Sequence, residues 1–142
     1  HLVDHLQQLE CEPVVPRTAD GWDFRDLESI ERFFSEHPSQ VVFNCAARQG
    51  GLGYQRTHPA DIFYDNMRMG LHSMHAAHQA GVGKYINVVA ACSYPGYVDG
   101  VLGEDDYWSG PLHESVVNYG FTKKSQVVQG WCYDRQYDLR EN

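Results

Sequence analysis

The chain has 142 residues, of which 42% are hydrophobic and 21% charged, and its formal net charge at pH 7 is −8. This length suits one domain with a core of its own, and the hydrophobic fraction excludes a disordered chain. The acidic balance argues against nucleic acid as a partner, because no basic stripe is present to contact phosphates. No apolar run approaches the roughly 20 residues that a membrane span needs, so a membrane partner is not expected either.

The four cysteines, Cys11, Cys45, Cys92 and Cys132, are widely spaced and form no C-x-x-C pair. A chain with this apolar content does not need disulfides, so reduced thiols are favoured over the alternative of two disulfides. The N-terminus lacks the basic and then apolar run of a signal peptide. Together these features predict a cytoplasmic location.

Hydrophobic spacing predicts a helix over residues 2–9 and, after it, a short edge-like strand at residues 13–16 that contains two prolines. Asp26 is a capping residue for a helix over residues 27–37. The continuous apolar run at residues 41–46 is typical of a strand buried on both faces.

A glycine-rich loop at residues 49–53 precedes a long predicted helix over residues 59–80. A strand at residues 85–89, a loop rich in Gly, Pro and Asp, and a last helix over residues 119–137 follow. This alternation predicts an α/β fold, a Rossmann-like doubly wound parallel sheet with helices on both faces. Ligands bind at the carboxyl ends of the strands in such sheets.

Tyr119 and Lys123 form a Tyr-x-x-x-Lys pair, which lies on one face of a helix. An ammonium beside a phenol lowers the phenol pKa, which suits acid–base chemistry near neutrality. The same spacing is also frequent by chance.

Cys92 and Ser93 follow the strand at residues 85–89, where a ligand crevice is expected. The Cys92 thiol could exchange protons with a substrate, or it could be a small buried hydrophobic group.

The run from Gly51 to Arg56 begins like a dinucleotide fingerprint, but Arg56 stands where the third glycine belongs, so it is interpreted as a flexible loop near a ligand. His72, His75 and His78 diverge around their helix and favour a partly exposed helix face over a metal site.

Five stretches of the chain follow one another in a recognisable order: residues 46–51, 58–66, 75–82, 91–95 and 119–123. In this order they resemble the extended short-chain dehydrogenase/reductases, that is, the NAD-dependent epimerase/dehydratase family. Within that family the pattern is similar to nucleotide-sugar epimerase/reductases of the GDP-L-fucose synthase type.

The resemblance implies NADPH-dependent epimerisation and 4-keto reduction of a nucleotide sugar. Tyr119 would be the proton donor, Lys123 would hold the nicotinamide ribose, and Cys92 would be the acid/base cysteine. Cofactor-binding positions by resemblance are Asp23, Phe24, Ala46, Ala47, Arg48, Asn66, Tyr119 and Lys123. Substrate-binding positions by resemblance are Gly50, Gly51, Cys92 and Ser93. NADP is preferred over NAD, because Arg17 could meet a 2′-phosphate.

Two departures from the family pattern bear on activity. Ala90 stands where the family has a Ser or Thr that polarises the ketone. The chain also lacks the family's first strand with its Gly-rich loop, so residues 1–142 are expected to be a partial dinucleotide-binding domain without the substrate domain. Weak NADP binding and impaired turnover are expected.

Two alternatives stay open. A 4,6-dehydratase would carry an Asp-Glu pair where Ala91 and Cys92 stand. A non-catalytic binding remnant of the fold is the other alternative.

The resemblance also implies a homodimer through the two long helices. The residues available for such an interface are Met67, Met69, Met74, Val127, Val128 and Trp131, although packing in the core explains the same residues.

Overall fold

The computed structural model describes residues 1–137 and the backbone of residues 140–141. Its helices are α1 (Leu2–Gln8), α2 (Leu27–Glu36), α3 (Leu52–Thr57), α4 (Pro59–Gln79) and α5 (Val117–Tyr137). Its strands are β1 (Val41–Asn44), β2 (Lys84–Asn87) and β3 (Arg140–Glu141). Short 3₁₀ turns lie at Thr18–Asp20, Ala91–Ser93 and Glu104–Trp108.

The strands form a parallel sheet in the order β1-β2-β3, with Val42 opposite Tyr85. Helix α4 connects β1 to β2, and helix α5 lies between β2 and β3, as parallel strands require. The α/β class predicted from the alternation is therefore confirmed. The sequence did not predict β3, whose two residues are too few for a hydrophobic period.

The core lies between the sheet and helices α2 and α4. Ile30 and Phe33 of α2, Met74 of α4 and Tyr85 of β2 are buried there, with Val42 packed against them. Met74 is 1% exposed and belongs to this core, so of the two alternatives for this residue, dimer interface or core packing, the structure supports core packing. The Asp26 carboxylate accepts a hydrogen bond from the Ser29 amide at 3.0 Å, which confirms the predicted N-terminal cap of α2.

The opposite face of the sheet is open in the described part of the chain. Val41 and Phe43 are 44% and 37% exposed, although burial on both faces was predicted for their strand. Side chains alternate along a strand, and helices α2 and α4 cover only the face to which Val42 points.

The predicted strand at residues 13–16 is also absent among the described residues, where this segment is extended but unpaired. Its two prolines have no N–H to donate, and Val14 and Val15 are 53% and 45% exposed rather than packed in a sheet. The segment between β1 and α4 was predicted to be a loop, but it contains the short helix α3.

Among the described residues no helix has the combination of length and hydrophobicity needed to cross a bilayer.

Candidate active site

The carboxyl ends of β1 and β2 lie side by side, because Asn44 is paired with Asn87. The segment after β1, residues 45–51, and the segment after β2, residues 88–96, therefore start at the same edge of the sheet. Helix α5 packs against the second of these segments. Most of the side chains predicted for catalysis or cofactor binding lie here.

Lys123 is the most deeply buried charged group of this region, with 2% of its surface exposed. Its Nζ donates a hydrogen bond to the carbonyl of Ala46 at 3.1 Å, which joins α5 to the segment after β1. Burial lowers the pKa of Lys123, because desolvation disfavours the charged form.

Cys92 lies in the 3₁₀ turn after β2 and is half-buried. Burial raises the pKa of its thiol, and the charge of Lys123 opposes that rise. The turn packs directly on the backbone of α5: a Cβ at Gly120 would lie 2.2 Å from the Cys92 carbonyl oxygen. Only glycine permits this approach, so Gly120 is a residue of the site that the Tyr-x-x-x-Lys motif does not specify.

Tyr119 precedes Gly120 on the same helix and is 5% exposed. Burial raises the pKa of its phenol, and the nearby Cys92 raises it further. The shift of this pKa is upward, opposite to the lowering expected from Lys123, whose ammonium is bound to the Ala46 carbonyl.

The segment after β1 is held to α4 by Asn66. The Arg48 amide donates to Asn66 Oδ1 at 2.9 Å, and Asn66 Nδ2 donates to the Arg48 carbonyl at 2.7 Å. Asn66 is 1% exposed, so this reciprocal pair fixes the backbone of Arg48 from inside the fold.

The Arg48 side chain enters a charged network that the sequence did not reveal. Its guanidinium donates to the buried carboxylate of Asp65 and to the Tyr54 hydroxyl, the latter at 2.6 Å. Arg25 reaches the same Asp65 at 3.5 Å and binds Asp23 at 2.7 Å. Hydrogen bonds from Arg25 lower the pKa of Asp23 to about 2. In the sequence, the only indication that Asp65 belongs to the site is its position directly before Asn66.

The other predicted site residues have varied surroundings. Phe24 packs on Phe33 of the core, with ring centroids 5.8 Å apart. Ala47 and Gly51 are exposed, whereas Gly50 is half-buried against Tyr54. Ser93 is fully buried, and its hydroxyl donates to the Ala90 carbonyl at 2.5 Å, so the structure turns this side chain away from the surface of the site.

Two of the three helix histidines, His75 and His78, pack α4 onto α5. His75 Nδ1 lies 2.7 Å from the Tyr133 hydroxyl, and the His78 ring stacks on Tyr137 at 4.1 Å. In residues 1–137 no group of three or more His, Cys, Asp or Glu side chains is arranged to hold a metal ion.

A parallel α/β sheet with helical crossovers, and with a buried Tyr-x-x-x-Lys pair beside the strand ends, is a Rossmann-like fold. The sequence profile of the NAD dependent epimerase/dehydratase family matches residues 1–140, and the chain belongs to that family.

Among curated relatives, the chain is 30% identical over 132 residues to the GDP-L-fucose synthase of Escherichia coli (strain K12), covering 93% of this chain and 41% of that protein. A GDP-L-fucose synthetase from Naegleria fowleri bound to NADP has a TM-score of 0.83 at 23% identity, covering 94% of this chain and 40% of the other. A Thermus thermophilus UDP-glucose 4-epimerase in complex with NAD has a TM-score of 0.79 at 24% identity, covering 99% and 49%. The chain thus spans about two fifths of the E. coli relative.

Proposed function

We propose that residues 1–142 are the dinucleotide-binding part of an NADPH-dependent nucleotide-sugar epimerase/reductase, with a substrate domain supplied by further chain. Its substrate would be GDP-4-keto-6-deoxy-mannose, as the resemblance to GDP-L-fucose synthases suggests. The observation that carries the proposal is the convergence of Lys123, Tyr119 and Cys92 beside the segment after β1.

The residues present fit the nicotinamide-ribose end of the cofactor. The ammonium of Lys123 has three N–H donors, and within the described residues Nζ makes one hydrogen bond, to Ala46 O. A buried ammonium with free donors suits the two hydroxyls of a ribose. At the other end of the segment, Asn66 and Asp65 hold Arg48 in place. Similar structures have been solved with NADP and with NAD, so the choice of NADP over NAD is part of the proposal.

The protonation states of Tyr119 and Cys92 at neutral pH suit proton donation. Burial raises the pKa of Tyr119, so its phenol stays protonated at neutral pH and can give a proton to the 4-keto oxygen. The Cys92 thiol is also mostly protonated, and the positive charge of Lys123 favours the thiolate that would take a proton beside the ketone. NADPH, when bound, supplies the hydride.

The experiment is an NADPH titration of the ¹⁵N-labelled chain, followed by NMR at the backbone amides of residues 119–123. We expect weak, saturable shifts that Lys123→Met abolishes. Lys84→Met, which removes a lysine at the start of β2, is the control and should leave them intact. An unshifted spectrum, or equal binding by Lys123→Met, would refute the proposal.

A second candidate, a non-catalytic binding role, is favoured by Ala90. The family's ketone-polarising hydroxyl is absent there, and Ser93 uses its own hydroxyl on the Ala90 carbonyl. Losing one such donor costs about 3 kcal/mol in transition-state stabilisation. In the longer protein, Ala90→Thr should therefore raise the rate of NADPH oxidation with the keto sugar. An unchanged rate would favour the binding role.

The proposed partner in assembly is a second copy, through α4 and α5. Large apolar side chains are exposed on both helices, and Phe63 stacks on Phe121 across them at 6.2 Å. The exposed set includes Phe63, Tyr64, Leu71, Phe121, Val128 and Trp131. Sedimentation should show a dimer that Trp131→Glu dissociates, and a monomeric unmodified chain would contradict it.

The four cysteines are free, and three of them are exposed. Free exposed thiols are typical of a reducing compartment, which supports the proposal of a cytoplasmic location.

A further inference from the structure

The long segment between the 3₁₀ turn after β2 and helix α5 folds back on itself and closes at its neck. The Gly96 amide donates a hydrogen bond to the Pro111 carbonyl at 2.9 Å. Residues 97–110 therefore form a compact loop, and the last part of this loop is the 3₁₀ turn Glu104–Trp108. The loop leaves the sheet beside the candidate active site and returns to α5.

Lys124 of α5 holds this loop through its ammonium group. Lys124 is 8% exposed, and its Nζ donates a hydrogen bond to the Tyr107 carbonyl at 2.5 Å. The same nitrogen lies 4.9 Å from the centroid of the Tyr107 ring and 4.5 Å from that of the Trp108 ring. Trp108 also packs on Trp131 of α5, with ring centroids 5.2 Å apart. The loop is thus attached to α5 at two positions, one charged and one aromatic.

The Lys124 ammonium is buried without a carboxylate partner among residues 1–137. Burial lowers the pKa of Lys124, because desolvation disfavours the charged form. One carbonyl and two aromatic ring faces offset part of that cost. A methionine would fill a similar space without any loss of charge hydration, so what the ammonium adds is a directed bond to one carbonyl.

Tyr107 connects this restraint to the candidate active site. Tyr107 is 8% exposed, and its ring packs edge-on against Tyr94, with centroids 4.8 Å apart. Tyr94 directly follows the 3₁₀ turn that contains Cys92. Burial raises the pKa of the Tyr107 phenol, and the nearby Cys92 raises it further, so the phenol and the thiol are close enough to influence each other.

We propose that Lys124 is a positioning residue for Cys92. By fixing the Tyr107 carbonyl, it keeps the Tyr107 ring against Tyr94 and thereby holds the turn after β2 closed on α5. Consecutive helix residues point about 100° apart, so Lys123 reaches the segment after β1 while Lys124 reaches the loop. The proposal rests on the proposed function only in that Cys92 is an acid/base group there.

The test measures how fast iodoacetamide modifies Cys92 in the folded chain, with Cys45 as the internal reference, by mass spectrometry of the peptides. Lys124→Met keeps the length of the side chain and removes the ammonium. We expect the Cys92 rate to rise about tenfold, to that of the exposed Cys45, because the turn opens locally. Lys124→Arg retains a cation with donors above the rings, so it should restore the slow rate. An unchanged rate in Lys124→Met, or a fast rate in Lys124→Arg as well, would overturn the proposal.

Two controls separate the loss of position from a loss of stability alone. Asp65→Asn breaks the ion pairs of the other segment, and it should leave the Cys92 rate unchanged in spite of its lower stability. In Lys124→Met the Cys92 rate should depend little on low urea concentrations, since local opening exposes little surface whereas global unfolding exposes much. A steep urea dependence, or an equal rise in Asp65→Asn, would mean that Lys124 only stabilises the fold, which contradicts the positioning role.

If Lys124→Met does not fold, Trp108→Leu carries the test. Trp108 is 47% exposed, and its replacement removes one ring face from the ammonium while the hydrogen bond to Tyr107 stays. The Cys92 rate should then rise about threefold, as expected for the loss of one cation–π contact. An unchanged rate in this variant would contradict the proposal.

The labelling experiment gives its answer whether or not NADPH binds. If NADPH produces Lys123-dependent shifts and Cys92 stays slow in Lys124→Met, the proposed function stands and the positioning role fails. If Lys124→Met makes Cys92 reactive and NADPH does not bind, the positioning role stands and the proposed function fails.

Discussion

The two segments at the carboxyl edge of the sheet are held in opposite ways. The segment after β2 lies against α5 by close backbone contact, with Gly120 admitting the Cys92 carbonyl. The segment after β1 is held to α4 by hydrogen bonds to Asn66 and by the ion pair of Arg48 with Asp65. One segment therefore depends on shape and the other on charge. The two should respond differently to substitution, salt and pH.

The largest expected effect comes from breaking the shape-dependent contact with Gly120→Ala. Alanine is the better helix former, but its Cβ would overlap the Cys92 carbonyl, at 2.2 Å. We expect a loss of about 2–3 kcal/mol in the free energy of unfolding, measured with urea. The control is Gly53→Ala in α3, where a Cβ would meet nothing within 4 Å, and it should be neutral or slightly stabilising. Equal stability of the two variants would show that the close contact is unimportant.

The charge-dependent contact is broken by Asp65→Asn. The variant leaves Arg48 and Arg25 without their shared carboxylate, whose side chain is 9% exposed. We expect a loss of about 2 kcal/mol, because hydrogen bonds to a charged group are stronger than neutral ones.

The matched control for that variant is Glu36→Gln, which breaks the exposed pair of Glu36 with Arg32 at 3.9 Å. An exposed pair contributes at most about 0.5 kcal/mol, so this variant should be nearly neutral. Comparable losses for Asp65→Asn and Glu36→Gln would mean that burial of Asp65 does not strengthen its ion pairs.

The same contrast explains what the sequence could predict. Helix α4, the cap at Asp26 and the parallel order of β1 and β2 follow from local patterns, so they were predictable. Asp65 and Arg25 are far apart in the chain, and no spacing rule links them. Helix α3 was missed because its six residues are too few for a clear hydrophobic period. The open face of β1 was missed because an apolar run indicates burial without indicating what covers it.

Thiol labelling sharpens the comparison without changing the fold. Burial raises the pKa of Cys92 and limits its access, whereas Cys45 at the end of β1 is exposed. At pH 8 a raised pKa means less thiolate, so iodoacetamide should modify Cys92 on the order of tenfold more slowly than Cys45. Mass spectrometry of the peptides gives both rates in one sample. If Cys92 reacted first, the segment after β2 would be open rather than closely packed.

The smallest expected effect concerns the exposed part of the charged network, the ion pair of Arg25 with Asp23. Arg25 lowers the pKa of Asp23 to about 2, but both side chains are more than 40% exposed, so Arg25→Ala should cost only about 0.5 kcal/mol at pH 7. A lowered carboxylate pKa contributes stability above the unfolded value, about 3.9, and that contribution is lost as pH falls towards 2. The difference between the variant and the unmodified chain should therefore shrink between pH 4 and pH 2. In NMR the pKa of Asp23 should be higher in the variant, but still below its ordinary value, because the backbone amide of residue 25 continues to donate to Asp23. Arg32→Ala, on the exposed face of α2, should leave that titration unchanged. A large loss at pH 7 would instead mean that Arg25 acts mainly through Asp65, which would make the whole network one cooperative unit.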